Sequence, residues 1–175
     1  MKFIFYFFIV FLALGNEKNS ESNDIANDDI EVNIFLHEAC KISQFYSLKL
    51  KELHQEFASD KIVFKGIFPA QDSKNENLLA FKEAYKMPFE MVNDKEQIIT
   101  KMLKATITPE VVVLNKSKNE VIYRGRIDDS YYKVGRRRNA NRTNELFDVL
   151  TAIKLNKKIE TENKPAIGCF ISLRK

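Results

Sequence analysis

The thiol of Cys40 is the side chain of this sequence with the clearest capacity for chemistry. A short apolar run rich in β-forming residues precedes it, and apolar residues at three- and four-residue spacing follow it. This pattern places Cys40 at or just before the N-terminus of a helix. Unpaired backbone N–H groups and the helix dipole favour an anion there, and Lys41 would add to this effect. We expect Cys40 to be a nucleophile; the alternatives are a structural half-cystine or an inert thiol.

The second cysteine, Cys169, lies far from Cys40 in the sequence, in a C-terminal tail. If the tail folds back, Cys169 would be placed to resolve a mixed disulfide on Cys40. A bond between the two would close a loop on the order of 100 residues, which the chain-entropy model values at ~4–5 kcal/mol. A purely structural disulfide and an exposed thiol that pairs between chains are open alternatives, and the sequence does not separate them.

Two histidines are the next candidates for chemistry. His37 lies three residues before Cys40, where it would tune the thiol or bind a metal, and His54 lies within the predicted helix. A lone histidine is more often a packing or surface residue. We therefore expect no metal site; the alternative ligand set is His37, Cys40 and Cys169.

Charged residues are concentrated near the end of an expected β-hairpin. Alternation places Arg124 and Arg126 on one face, where they would pair with Asp128 and Asp129 or fix the C-terminal tail near its cysteine. Ion pairing is the expected role. A run of three arginines at 136–138 forms either a solvated loop or a basic patch for an acidic partner or a membrane surface.

The composition indicates a single domain with appendages. The chain has 175 residues, of which 45% are hydrophobic and 14 are Phe, so it can bury a substantial core. The formal charge of +4 is modest and no recognised nucleic-acid motif is present, so we expect no nucleic-acid partner.

The N-terminal segment predicts export. Residues 1–15 combine one lysine, an unbroken apolar run and small residues, which is typical of a signal peptide. The run is short for a membrane-spanning helix of ~20 residues, so an uncleaved anchor with membrane association is the alternative. Residues 16–31 are polar and acidic, as in a flexible linker. A periplasmic or extracellular location follows, and two cysteines often pair there.

The elements that must position these side chains follow from the hydrophobic pattern. Strands are predicted at 32–36, 62–69, 111–114 and 120–126, with a short extended piece at 89–92. Helices are predicted from Cys40 to Phe57 and at 75–86, 97–105 and 143–155. The first helix should bury Phe45, Leu48, Leu50, Leu53 and Phe57, and the last should bury Leu146, Phe147, Leu150 and Ile153. Residues 128–141 read as a loop. The order of elements predicts an α/β fold with a mixed central sheet and helices on both faces.

Four short motifs, in this order, carry a family resemblance. They are EACKIS at 38–43, TPEV at 108–111, YRGRIDD at 123–129 and AIGC at 166–169. On these motifs the chain resembles thioredoxin-fold proteins of the redoxin (AhpC/TSA-like) group, in a secreted subgroup with a single loop cysteine and a C-terminal Gly-Cys motif. The resemblance implies a thioredoxin-like domain at 32–156 and a tail at 157–175 that carries Cys169.

The resemblance also implies roles for particular residues. The peptide bond before Pro109 would be cis and would face the reactive cysteine, exposing the backbone of Thr108 to an extended partner peptide. The implied catalytic set is Cys40, Cys169, Pro109 and Thr108. The implied activating or orienting set is Lys41, Ser43, Arg124 and Arg126.

Three departures from the family pattern qualify the expected activity. Ser43 stands where thioredoxins have a second loop cysteine, so dithiol oxidation within the loop is excluded. Lys41 stands where the subgroup has proline. The segment His37-Glu38-Ala39 lacks the Pro and Thr that precede a peroxidase cysteine, which argues against efficient peroxide reduction.

The expected function is therefore an exported thiol–disulfide oxidoreductase. Cys40 would attack a disulfide to form a covalent intermediate that Cys169 resolves. The partners would be a protein thiol or disulfide and an external reductant. No organic cofactor is expected, because the sequence has no Gly-rich phosphate loop. The alternatives are a non-catalytic binding or assembly module, a copper-type metal chaperone, and a weak one-Cys peroxidase.

Overall fold

The computed structural model of the protein describes residue 25, residues 27–140 and residues 142–174. The predicted signal peptide at 1–15 and residues 16–24 of the predicted linker lie outside this part of the chain. Within it, the structure contains no helix that combines the length and apolar character needed to cross a membrane.

Strands and helices alternate through the first half of the domain, and short strands predominate afterwards. The strands are β1 Ile30–Phe35, β2 Ile62–Phe68, β3 Glu90–Asn93, β4 Ile107–Thr108, β5 Glu110–Asn115, β6 Glu120–Gly125, β7 Tyr131–Lys133, β8 Arg136–Arg137 and β9 Cys169–Phe170. The helices are α1 Lys41–Phe57, α2 Asn75–Tyr85, α3 Ile98–Met102 and α4 Glu145–Lys154.

The central sheet is mixed, as the sequence predicted. Its strand order is β3-β2-β1-β5-β6. The pairs β1–β2 and β2–β3 are parallel, because helices α1 and α2 carry the chain back to the same edge. The pairs β1–β5 and β5–β6 are antiparallel, and β5 and β6 form the predicted hairpin. The prediction of an α/β fold with a mixed sheet is confirmed.

Apolar side chains cover both faces of this sheet. Along β5, Val111 and Val113 point into a cluster that includes buried residues of α1, α2 and α4. Val112 points to the opposite face and packs with Phe35 and Leu103, the residue that follows α3. This alternation is the period of two expected for a strand buried on both sides.

The helix patterns needed two corrections. Leu48 was predicted to be buried but is 61% exposed, whereas Tyr46 is 3% exposed. The buried stripe of α1 is Ile42, Tyr46, Leu50, Leu53 and Phe57, with Ser43 and Ser47 beside it. Its spacing is three or four residues throughout, and Leu48 lies off that stripe. In α4, Phe147 was also predicted to be inward but is 39% exposed.

The boundaries of irregular segments were also wrong in places. The predicted linker ends too late, because Ile25 and Ile30 are buried in the core and β1 begins at Ile30. The predicted loop at 128–141 contains the small antiparallel pair β7–β8. Gly135 supplies the left-handed backbone conformation (φ 72°) between these two strands. Both segments are mostly polar, so their apolar pattern is too weak to predict the strands and buried residues within them.

Candidate active site

Cys40 lies at the end of the loop between strand β1 and helix α1. It is the N-cap residue of α1, with extended backbone angles (φ −76°, ψ 114°). Its N–H donates to the carbonyl of His37 at 3.0 Å, and its own carbonyl accepts the N–H of Gln44 at 3.0 Å. The residue is 3% exposed. The predicted position of the thiol at the helix N-terminus is confirmed.

The C-terminal tail brings the second cysteine to this place. Strand β9 pairs antiparallel with β4, with Cys169 opposite Thr108. The N–H of Ile171 extends the pairing by donating to the carbonyl of Thr106 at 2.9 Å. As a result the sulfur atoms of Cys169 and Cys40 are 2.9 Å apart. Both residues are thiols, with Cys40 buried and Cys169 exposed.

Two glycines allow the tail to come this close. A Cβ atom added to Gly168 would lie 2.0 Å from the carbonyl oxygen of Thr108. A Cβ atom added to Gly125 would lie 2.4 Å from the carbonyl oxygen of Lys164. Real Cβ atoms do not approach backbone atoms at such distances, so a side chain at either position would push the tail away from the domain.

The pKa values of the two thiols are shifted in opposite directions. Burial of Cys40 opposes its ionisation, but the thiol of Cys169, the hydroxyl and N–H of Ser43 and the N–H of Ile42 all donate to its sulfur, so the pKa of Cys40 is lowered. Burial, together with the hydrogen bond and charge of Cys40, raises the pKa of Cys169 to about 11. When the pair loses one proton, the proton therefore leaves Cys40, and Cys169 remains a thiol.

The peptide bond between Thr108 and Pro109 is cis, as the resemblance implied. The carbonyl of Thr108 faces the site and lies 3.4 Å from the Cys40 sulfur, within reach of the thiol as donor. The hydroxyl of Thr108 donates to the carbonyl of Cys169 at 3.4 Å. Thr108 thus contacts both cysteines, and its backbone edge is paired with the tail of the same chain.

Of the other two predicted activating groups near Cys40, Ser43 contacts the thiol and Lys41 does not. Ser43 is fully buried, and its hydroxyl also accepts the N–H of His37 at 3.3 Å. Ser43 therefore supports both the thiol and the loop that carries it. The ammonium of Lys41 donates to the side chain of Gln44 at 3.2 Å on the exposed side of the helix.

Arg124 and Arg126 are engaged outside the thiol pair. The guanidinium of Arg126 donates to the carboxylate of Glu145 at 2.9 Å, and that of Arg124 donates to the carbonyl of Lys104 at 3.2 Å. The predicted pairing of these arginines with Asp128 and Asp129 is wrong, because Arg126 forms its ion pair with Glu145 of α4. Asp129 pairs instead with Arg138, whose guanidinium nitrogen lies 3.1 Å from its carboxylate.

These two arginines do anchor the tail, through their backbone. The N–H of Arg126 donates to the carbonyl of Lys164 at 3.1 Å, and the N–H of Arg124 donates to the side-chain carbonyl of Asn163 at 3.0 Å. The end of β6 therefore fixes the tail shortly before it reaches Cys169.

Both histidines make contacts within the fold. The ring Nδ1 of His37 accepts the N–H of Ala39 at 3.0 Å. The ring of His54 packs against Phe64 and Phe89, and burial lowers its pKa. Among the described residues, no three His, Cys, Asp or Glu side chains lie close enough together to hold a metal ion. The alternative ligand set of His37 with the two cysteines is thus not assembled.

A cavity of about 320 Å³ opens beside the cysteine pair. Phe170, which follows Cys169 and is 87% exposed, forms part of its wall. The lining residues are His37, Pro69, Ala70, Gln71, Asp72, Thr108, Phe170, Ile171 and Ser172. The lining combines apolar and polar residues, and two of them, Thr108 and Phe170, adjoin the exposed cysteine.

Comparisons with known proteins agree with this geometry at the level of fold. No protein-family model matches the chain, and no curated protein matches it. An uncharacterized conserved protein from Geobacillus kaustophilus is similar over 86% of this chain and 80% of its own, with 22% identity and a TM-score of 0.71. The hypothetical protein SMc02350 from Sinorhizobium meliloti 1021 is similar over 85% and 81%, with 20% identity and a TM-score of 0.71. StoA from Bacillus subtilis is similar over 55% and 72%, with 17% identity and a TM-score of 0.48.

The mixed sheet in the order β3-β2-β1-β5-β6, the cysteine at the start of the helix after β1, and the cis-proline before β5 occur together in this chain. The fold is thioredoxin-like. Within it, the N-terminal helix cysteine and the cis-proline occupy the places that the resemblance implied.

One part of this thioredoxin-like site was missed from the sequence. The pairing of β9 with β4 joins segments of two residues each, too short to leave an alternating pattern. The available signal was Gly168, which directly precedes Cys169 in a short apolar part of the tail. A glycine at that place is consistent with close backbone approach, but the sequence does not say to which strand.

Proposed function

We propose that this protein is an exported thiol–disulfide oxidoreductase in which Cys40 and Cys169 cycle between a dithiol and a disulfide. The observation that carries the proposal is the 2.9 Å separation of the two sulfurs at the N-terminus of α1, on a thioredoxin-like fold. Two thiols this close can form a bond with a small movement, because a disulfide places its sulfurs at ~2.0 Å.

Cys40 is the proposed thiolate of the pair. Its pKa is lowered by hydrogen bonds that outweigh its burial, so it is the first of the two to become a thiolate. The thiolate is the species that attacks a disulfide. Cys169 is the proposed second member of the pair, which forms or breaks the internal disulfide. Ser43 supplies hydrogen bonds to the Cys40 sulfur in place of a second loop cysteine.

The proposed reaction transfers two electrons and two protons between the cysteine pair and a protein dithiol or disulfide. An external redox partner restores the pair after each turnover, and the chemistry requires no organic cofactor. The proposed location outside the cytoplasm rests on the apolar segment at 1–15. The mass of the protein recovered from the exported fraction tests that location, because removal of the segment shortens the chain by a defined amount.

The activity is tested by equilibrating the full-length protein with glutathione redox buffers and measuring oxidation of a peptide dithiol. We expect the wild-type protein to form a Cys40–Cys169 disulfide and to accelerate peptide oxidation. The variants Cys40→Ser and Cys169→Ser should both lose the acceleration. Absence of the internal disulfide at every glutathione ratio would refute the proposal, and so would full activity in either variant.

A further inference from the structure

The two members of the cysteine pair differ sharply in accessibility. Cys40 is 3% exposed, since it belongs to the buried core cluster and the tail brings Cys169 against its sulfur. Cys169 lies on the outer strand β9 and is exposed, as is its neighbour Phe170. A partner protein approaching the folded domain therefore meets Cys169 first.

The tail that covers Cys40 is held on the C-terminal side of Cys169. The side-chain amide of Gln97, a fully buried residue, donates to the carbonyl of Ser172 at 2.8 Å. The side-chain carbonyl of Gln97 accepts the N–H of Arg174 at 2.6 Å. Ile171 packs against the apolar cluster below α3.

The tail is also held on the N-terminal side of Cys169. Ala166 is 4% exposed, and the carbonyl of Lys164 accepts the N–H of Arg126. Cys169 is therefore fixed from both directions. The backbone edge of Thr108, which the family resemblance assigns to an incoming peptide, is occupied by the chain's own strand β9.

Thiol–disulfide exchange has a directional requirement that separates the two sulfurs. The attacking sulfur approaches in line with the bond that breaks, from the side opposite the leaving sulfur, so access to that side decides which sulfur is attacked. With the pair oxidised, in-line attack on Cys169 requires access to the side of Cys169 that faces away from Cys40, and Cys169 is the exposed member of the pair. In-line attack on Cys40 requires access to the far side of a residue that is 3% exposed and belongs to the same buried cluster as Ile42 and Tyr46.

We infer that partner cysteines exchange with Cys169 while the tail stays in place, and that Cys40 is an internal thiolate that leaves from and returns to Cys169. The inference rests on the proposed function and reverses the order of attack expected from the sequence, in which Cys40 meets the partner directly. The partner is a protein with two cysteines that can form a disulfide.

The bonds and electrons of the proposed exchange balance as follows. A partner thiolate attacks the Cys169 sulfur, a partner–Cys169 disulfide forms, and the Cys40–Cys169 bond breaks with the electron pair leaving on Cys40. The partner's second thiolate then attacks the sulfur of the partner's first cysteine in the mixed disulfide, and Cys169 leaves as a thiolate. The partner is oxidised by two electrons, and the cysteine pair takes up the two protons that the partner released. The reverse sequence reduces a partner disulfide.

The acidities of the pair support this order. A thiol with a lower pKa is the better leaving group, and the pKa of Cys40 is lowered whereas that of Cys169 is raised to about 11. The exposed member is thus the electrophilic sulfur of the oxidised pair, and the buried member is the one that departs readily.

The inference is tested with two full-length single-cysteine variants and oxidised glutathione as the probe. In Cys40→Ser only Cys169 can form a mixed disulfide, and in Cys169→Ser only Cys40 can. We expect the rate of glutathione adduct formation, followed by mass, to be at least 10-fold higher for Cys169 than for Cys40. A full-length Cys169→Ser chain that also carries Gly168→Ala, which pushes the tail away from Thr108, should react about 5-fold faster or more at Cys40.

A second measurement uses the wild-type protein and does not depend on any variant folding. The oxidised protein is mixed with reduced glutathione, quenched with acid within the first turnover, unfolded and alkylated. We expect glutathione on Cys169 and the alkyl label on Cys40. Glutathione on Cys40 in a protein that still oxidises peptide dithiols would overturn the inference and leave the proposed function standing. A wild-type protein that forms no internal disulfide would overturn both.

Discussion

Replacement of Gly168 by alanine should loosen the tail and uncover Cys40. The added Cβ atom would lie 2.0 Å from the carbonyl oxygen of Thr108 and 2.6 Å from its carbonyl carbon. Both neighbours are backbone atoms, so they cannot move aside as a flexible side chain would. Overpacking of this kind costs about 1–3 kcal/mol. Since every 1.4 kcal/mol is a factor of ten, the detached tail should become about 5 to 150 times more populated.

The assay follows alkylation of Cys40 by N-ethylmaleimide in a Cys169→Ser background, where Cys40 is the single cysteine. When the tail opens and closes faster than the reagent reacts, the labelling rate is proportional to the open population. We therefore expect the Gly168→Ala substitution to raise the rate by about the same factor of 5 to 150, with the circular dichroism spectrum of the domain unchanged.

Gly135 offers a matched control. A Cβ atom added there meets nothing within 4 Å, and the residue lies in the β7–β8 turn rather than against the tail. Gly135→Ala introduces local backbone strain, since its φ is 72°, but should leave the labelling rate of Cys40 at the parent value. Equal rates for Gly168→Ala and the parent would refute the reasoning that the tail shields Cys40 through its contact with Thr108.

Three further predictions concern stability and acidity. In urea unfolding, Leu48→Ala should change the free energy of unfolding by less than about 0.5 kcal/mol, because Leu48 is exposed. Leu50→Ala should cost about 2–5 kcal/mol, because Leu50 is buried, and equal costs for the two variants would contradict the revised helix face. The pKa of Asp129 is lowered by backbone and ionic partners that outweigh burial, so its stabilisation is present above about pH 4 and is lost as pH falls toward the lowered pKa; Asp129→Asn should flatten that part of the stability–pH profile, and an unchanged profile would count against it. Ser43→Ala removes a hydroxyl donor to the Cys40 sulfur, so the midpoint of the pH–alkylation curve of Cys40 should move up; a midpoint that stays or falls would show that the hydroxyl does not stabilise the thiolate.

The sequence predicted the central part of the fold because its elements are long and strongly patterned. The strand before Cys40, the helix after it and the β5–β6 hairpin each have enough apolar residues at a fixed period to be recognised. The face of α1 was harder to assign, because Leu48 and Tyr46 both fit an apolar stripe when the partner elements are unknown. The contacts across the sheet decide which of them is buried.

The site was predictable only in its parts. Cys40 at the helix start and the cis bond before Pro109 were expected, from local sequence and from the family resemblance respectively. The seating of Cys169 depends on backbone hydrogen bonds of a two-residue strand, which have no side-chain signature. The same holds for the anchoring of the tail by Gln97, since a buried glutamine in a polar stretch looks like any surface residue.

The placement of the two cysteines links the redox state of the protein to its folding equilibrium. A bond from the start of α1 to β9 would enclose every helix of the described chain in one covalent loop. Unfolding of the oxidised protein would leave a ring, and unfolding of the reduced protein would leave an open chain. By thermodynamic linkage, the free energy by which oxidation stabilises the fold equals the free energy by which the fold stabilises the disulfide. Heat or denaturant should therefore make the cysteine pair easier to reduce, and a reducing environment should make the domain easier to unfold.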